Sequence, residues 1–159
     1  MNQLLLKWLE LKHLNREGWV RAGLPTVESV ASHSWSMSLL AMAYCPSDLN
    51  LEKVLKMCIV HDLAEVVVGD ITPEDDIINK AELEHQAFTE IAPQFLLLFE
   101  EYEAGVSKEA QFVKKMDKLD MALQSRTYER MYDVDLSDFR ESASKVLKGT
   151  TFERLYDGF

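Results

Sequence analysis

The most demanding residues in the chain are His61 and Asp62, an imidazole and a carboxylate placed side by side directly after the apolar run Met57, Cys58, Ile59 and Val60. Burying one unpartnered polar group costs on the order of 2–7 kcal/mol, and an unpaired charge costs more. Either a hydrogen-bonded core histidine beside a salt-bridged aspartate, or a bound cation, has to offset that cost. Glu65 follows four residues after His61 and three after Asp62, so on a helix the three side chains occupy neighbouring parts of one surface. Such a group can bind a cation and still leave one carboxylate free for proton transfer.

A second segment offers more carboxylates. Phe112, Val113, Met116, Leu119 and Leu123 form one apolar helical face, with Asp117 and Asp120 at its edge. Either aspartate can enter the core, and their spacing does not choose between them. His33, in the stretch ESVASHSW, supplies a second imidazole. Two imidazoles and two carboxylates make a mixed nitrogen and oxygen set without thiolate. That set suits Mn²⁺, Co²⁺, Fe²⁺, Ni²⁺ or Zn²⁺ and differs from a closed, cysteine-based zinc site. Open coordination positions let a water lose its proton near neutral pH, which links the ligand set to hydrolysis. A competing pattern is the Glu-x-x-His pair of di-iron bundles, present at Glu10 to His13 and at Glu82 to His85. Both pairs lie in charge-rich surroundings and read as solvated surface.

These residues need helices to carry them. Six glycines and four prolines punctuate the chain, and apolar residues recur at spacings of three and four, which predicts an all-α fold. The segments are 2–15, with a stripe of Leu4, Leu5, Trp8, Leu11 and Leu14; a helix from about Ser32 to the Cys45-Pro46 boundary; and a central helix over 51–68, capped by Asn50 and stopped at Gly69. After the loop 69–76 come 77–91, 94–104, a long helix over 107–131 capped by Ser107, and a weaker one over 137–147. No internal repeat or linker divides them, so residues 1–159 read as a single domain.

Composition narrows the partners. The formal charge is −10, with 17 Lys and Arg against 27 Asp and Glu, which argues against nucleic acid. No apolar stretch is long enough for a membrane span or reads as a signal peptide, which points to the cytoplasm. Cys45 and Cys58 show no CxxC spacing, and no disulfide is expected.

Four blocks occur in order: LKxxxRxGWV, ESVAxHSW, VHDLAExxVGDITPxD and EAxFVKxxDKxxMxLQ. Over residues 10 to 130 the chain thereby resembles the HD-domain phosphohydrolases, specifically their 5′-deoxynucleotidase branch. The resemblance implies a compact multi-helix fold. It also implies one divalent metal ion, hydrolysis of deoxyribonucleoside 5′-monophosphates to nucleoside and phosphate, and assembly as a homodimer. By position it makes His33, His61, Asp62 and Asp117 the metal ligands, favouring Asp117 over Asp120. Glu65 and Asp70 then lie beside phosphate and water, with Glu65 as general acid or base, and Arg16 contacts the phosphate. Trp19 falls near the place where some members exclude ribose. Ser32 departs from the pattern, which has an acidic residue before the ligand histidine, so the support behind His33 differs here. Cyclic-nucleotide or alarmone hydrolysis, and a non-catalytic module stabilised by metal, are the alternatives.

Overall fold

The computed structural model describes residues 2–72, 75 and 77–157, so Pro73, Glu74 and Asp76 of the expected loop lie outside the described residues. Three helices form the centre: α3 (Val30–Tyr44), α4 (Leu51–Val60) and α8 (Lys108–Met131). Each begins on a side-chain cap: Ser29 accepts from the Ser32 amide, Asn50 from Lys53 and Ser107 from Ala110. Each cap satisfies one of the amides a helix start leaves without a partner. Helix α3 ends where Cys45 turns extended ahead of Pro46. Between the three helices Met37, Ala41, Val54, Met57, Val113 and Met116 are fully buried.

Two further clusters close the ends. Phe88 of α6 (Lys80–Ile91) stacks on Phe99 of α7 (Leu96–Ala104) at 4.3 Å, together with Leu11, Val30, Val60 and Leu63. On the other side, Trp19 of the short α2 (Glu17–Arg21) packs with Tyr128 of α8 and with Leu136, next to α9 (Ser137–Leu147). A pair of backbone bonds, Val30 N–H to Leu14 O and Arg16 N–H to Glu28 O, ties the segment before α2 to the start of α3. Arg16 is thereby held beside the helix that carries His33.

The structure redraws several sequence boundaries. Helix α1 (Asn2–Leu9) gives way to a 3₁₀ turn at Glu10–Lys12 rather than continuing to residue 15, and Leu4 and Leu5 are 41% and 47% exposed. The buried stripe starts at Trp8, whose indole N–H donates to the Ile91 carbonyl at 3.0 Å. Helix α3 starts at Val30, behind its Ser29 cap, rather than at Ser32; Pro93–Phe95 form a 3₁₀ turn, and the chain adds a short α10 (Glu153–Asp157) beyond the expected elements. The central helix predicted over 51–68 is broken. After Val60 the backbone tightens, with Leu63 N–H to Val60 O, Glu65 N–H to Asp62 O and Val66 N–H to Leu63 O, before the one-turn α5 (Glu65–Val68). These bonds reach three residues back, the winding of a 3₁₀ helix.

Gly69 ends α5 at φ 83° and ψ 167°, a region that is essentially restricted to glycine. Its position sends Asp70 back toward α2, where Oδ2 accepts from the Glu17 amide at 2.6 Å. A Cβ at Gly69 meets nothing within 4 Å, so Gly69→Ala isolates backbone strain from packing. Urea denaturation of this variant should show a loss of about 1–3 kcal/mol; wild-type stability would mean that the turn is not held in this conformation.

Candidate metal centre

His33 sits in the first turn and a half of α3, and its ring is wholly buried. Two aspartates of α8, one helical turn apart, face its two nitrogens. Asp120 Oδ2 lies 2.7 Å from Nδ1, and Asp117 Oδ1 lies 3.3 Å from Nε2. His61 occupies the cap of α4, where its Nδ1–H donates to the Cys58 carbonyl at 2.9 Å. That bond turns Nε2 toward Asp62 Oδ2, 3.0 Å away, and Tyr102 packs edge-on against the ring. Asp62 Oδ2 lies 3.9 Å from His33 Nε2.

Donor atoms of His33, His61 and Asp62 all lie within 4.8 Å of one another, a spacing that accommodates one ion. Asp117 falls outside that tightest group but touches His33 Nε2. Two buried atoms in this neighbourhood, His33 Nε2 and Glu65 Oε2, make no hydrogen bond. The Asp117 carboxylate is near the first of them but not in hydrogen-bonding geometry. Native interiors leave few buried polar atoms without a partner. An orphaned imidazole nitrogen facing carboxylates, in a set free of thiolate, fits a divalent cation.

The charges are strongly coupled. Burial opposes the Arg16 charge, yet Asp62 and Asp70 keep its guanidinium well above the ordinary range, with Nη1 at 3.3 Å and 3.8 Å from their carboxylates. Asp62 is held well below the carboxylate range, because His61 and Arg16 outweigh the effect of burial. Asp117 is held low as well: burial works against ionisation, but His33 and the Lys118 ammonium 3.0 Å away prevail. For His33, burial and Arg16 push downward while Asp117 and Asp120 raise it to about 9. Glu65 goes the other way. Burial first, and then Asp62 and Asp70, push it up to about 11, so its carboxyl stays protonated at neutral pH.

Arg16, Trp19, His61, Asp62, Glu65, Asp70 and Asp117 all line one cavity of about 660 Å³, a size suited to a small-molecule ligand. His33 does not line it and reaches the cluster only through Nε2. The cavity also takes Lys80 from α6, Lys118 from α8, and Asp138 and Phe139 from α9, none of which the sequence reading singled out. Trp19 is buried: its indole N–H donates to Glu28 Oε1 at 2.9 Å and its ring stacks on Phe139 at 4.1 Å. Gly18 permits that stack, since a Cβ there would come to 3.3 Å from the Phe139 ring. The rival Glu-x-x-His residues are not brought together with these. Glu10, His13, Glu82 and His85 are exposed, and His85 pairs with Glu100 at 2.8 Å.

A helical bundle with a His-Asp pair at the end of one core helix, facing an aspartate from a second helix and a histidine from a third, is the architecture of an HD domain. The HD domain family matches residues 9–155, and the chain belongs to that family. It is 37% identical over 145 residues to the 5′-deoxynucleotidase hdd1 of Schizosaccharomyces pombe, covering 81% of this chain and 73% of that protein. To the 5′-deoxynucleotidase HDDC2 of Homo sapiens it is 37% identical over 147 residues, covering 85% and 72%. A crystal structure of a Pyrococcus horikoshii protein superposes with a TM-score of 0.87 at 33% identity, over 99% of this chain and 94% of that one.

Glu65 allows a test of the electrostatics. Its folded-state pKa lies above its ordinary value, so the stability it contributes is present at low pH and is lost as pH rises. Glu65→Gln removes that dependence. In urea titrations of metal-free protein from about pH 5 to about pH 9, the variant should gain on the wild type as pH rises; a constant difference would show that Glu65 ionises without cost.

Proposed function

We propose that the chain is a metal-dependent phosphomonoesterase that hydrolyses deoxyribonucleoside 5′-monophosphates to nucleoside and phosphate. One observation carries this reading: a His and Asp cluster with an orphaned, buried imidazole nitrogen opens beside a nucleotide-sized cavity that also holds a half-buried arginine and a protonated carboxyl. The names of the relatives agree with it. The HD family match over 9–155 supports treating residues 1–159 as one domain.

In this reading His33, His61, Asp62 and Asp117 hold one divalent ion, of the Mn, Co, Zn, Fe or Ni type. When bound, such an ion polarises a phosphate and lowers the pKa of a water. Arg16 binds the phosphate; its guanidinium is held by Asp62 and Asp70 and cannot lose its charge. Asp70 has one oxygen committed to the Glu17 amide and the other facing Arg16, so it orients the arginine. Glu65, protonated and lining the same cavity, is left to give a proton to the departing 5′-oxygen. Trp19 presents only its ring to the cavity, because its N–H is taken by Glu28, and it limits the room around the sugar.

The finer assignments follow from the same reading. A small nucleotide rather than a nucleic acid suits a chain of net charge −10 in which Arg16, Arg21, Lys80 and Lys118 line the cavity. Two free cysteines, Cys45 and Cys58, fit the reducing cytoplasm. A homodimer is supported by α3, which exposes Trp35, Leu39 and Met42 by 68%, 52% and 59% along one face, an apolar patch that a second copy can cover. Trp35→Glu should then shift sedimentation velocity from dimer to monomer, and an unchanged profile would remove this face from the interface.

The deciding experiment is phosphate release from all deoxy- and ribonucleoside monophosphates, with cyclic nucleotides alongside, across several divalent metals. Deoxynucleotides should be hydrolysed best; absence of release with every metal would leave only a binding module. Glu65→Ala should lower kcat by about 10²–10⁴ while calorimetry still finds one metal per chain. Loss of the metal in that variant would instead make Glu65 a ligand.

A further inference from the structure

The assignment of Asp117 as the α8 ligand leaves Asp120 without a task, although it is buried, does not line the cavity, and makes one of the shorter hydrogen bonds in the protein. Its partner is His33 Nδ1, the nitrogen that faces away from His61, Asp62 and Asp117. An imidazole can give a lone pair to a cation through Nε2 only if its remaining proton sits on Nδ1, and that proton needs an acceptor. Asp120 is placed to be that acceptor.

Other groups do not fill the role. Ser32, beside His33 in the sequence, is exposed, and its hydroxyl is engaged with Ser29 Oγ at 3.0 Å. Glu28 lies near the ring, but its carboxylate accepts the Trp19 indole N–H. The donor atoms of Glu28, His33 and Asp120 fall within 4.8 Å of one another, yet they do not make a second cation site. Two ligands of one ion, each at about 2.0–2.2 Å from it, stand further apart than the 2.7 Å between Nδ1 and Asp120 Oδ2. That distance is a charge-assisted hydrogen bond.

We propose that Asp120 is the positioning residue of the metal centre: it accepts the Nδ1 proton of His33 and so fixes the tautomer and ring angle that aim Nε2 at the His61, Asp62 and Asp117 cluster. Helix α8 then serves the site twice. Asp117 meets one nitrogen of the ring and Asp120 the other, three residues apart on a single rigid helix, so both ends of the imidazole are registered to the same backbone. The inference rests on His33 being a metal ligand.

The test is calorimetric titration of the full chain with Mn²⁺, with visible absorption of the Co²⁺-loaded protein as a probe of ligand geometry. Asp120→Ala should weaken metal affinity by about 10–100-fold and change the Co²⁺ spectrum. Asp120→Asn, which keeps shape but offers a neutral acceptor, should lose about tenfold. Urea melts of the metal-free variants establish that each is folded. If the alanine variant does not fold, the asparagine variant decides alone. Wild-type affinity and an unchanged spectrum in any folded Asp120 variant would overturn the proposal. A wild-type chain that binds no metal would instead sink the metal-centre reading itself.

Discussion

Everything around the site answers to one constraint: ionisable side chains packed into the interior of a small helical bundle must be matched almost charge for charge. Asp62, Asp70, Asp117 and Asp120 bring four carboxylates together, and Arg16, Lys118 and the His33 imidazolium bring three positive charges. One negative charge is left over. A divalent cation in place of the His33 proton would remove that excess, since two positive charges would replace one. Glu65 fits the same balance, because an ionised carboxyl there would add another uncompensated charge, and it remains protonated.

That constraint also explains how an acidic protein attracts an anion. The net charge is −10, yet Arg16, Arg21, Lys80 and Lys118 converge on one cavity. The acidic groups nearest the cluster are already tied to partners, Asp62 and Asp70 to Arg16, and Asp117 to His33 and Lys118. Glu84, Glu103 and Asp138 line the same cavity, so an anion there needs the added positive field that a divalent ion in the cluster would supply. The anchoring lies further back. Trp8 on the Ile91 carbonyl, Phe88 on Phe99, and Trp19 between Tyr128 and Phe139 brace the three elements that carry His61, Glu65 and Arg16.

Much of this was legible in the sequence, for reasons that can be named. The helices α3, α4 and α8 announce themselves through Ser and Asn caps and through apolar periodicity, and His61 and Asp62 stand out because they interrupt the most apolar run. Seven of the eight residues that the sequence proposes for the site line one cavity, and the eighth, His33, touches the cluster from behind its wall. What the sequence did not carry is tertiary. Asp117 and Asp120 have the same spacing relation to the core stripe, and only the position of the His33 ring tells them apart. Leu4 and Leu5 carry the apolar spacing of a core face yet lie exposed, and the stacking of Phe139 on Trp19 is eased by a glycine at position 18 that looks like an ordinary loop residue. The bounds of the central helix failed because hydrophobic periodicity does not distinguish bonds that reach back four residues from bonds that reach back three.

That failure bears directly on the chemistry. On a continuous α-helix Glu65, four residues on from His61, would stack near the imidazole and offer its carboxylate to the same ion. In the tightened turn after Val60, bonds run from Glu65 to Asp62 and from Val66 to Leu63, and residues three apart eclipse one another. Glu65 therefore aligns with Asp62, a carboxylate that is already ionised. Like charge and burial together keep the Glu65 proton on. Residue type alone would let Glu65 serve as one more carboxylate for the cation; the local winding sets it beside Asp62 with its proton retained, the state its proposed role as proton donor requires. The proposed separation between holding a metal and moving a proton therefore rests on four residues of backbone at the end of α4.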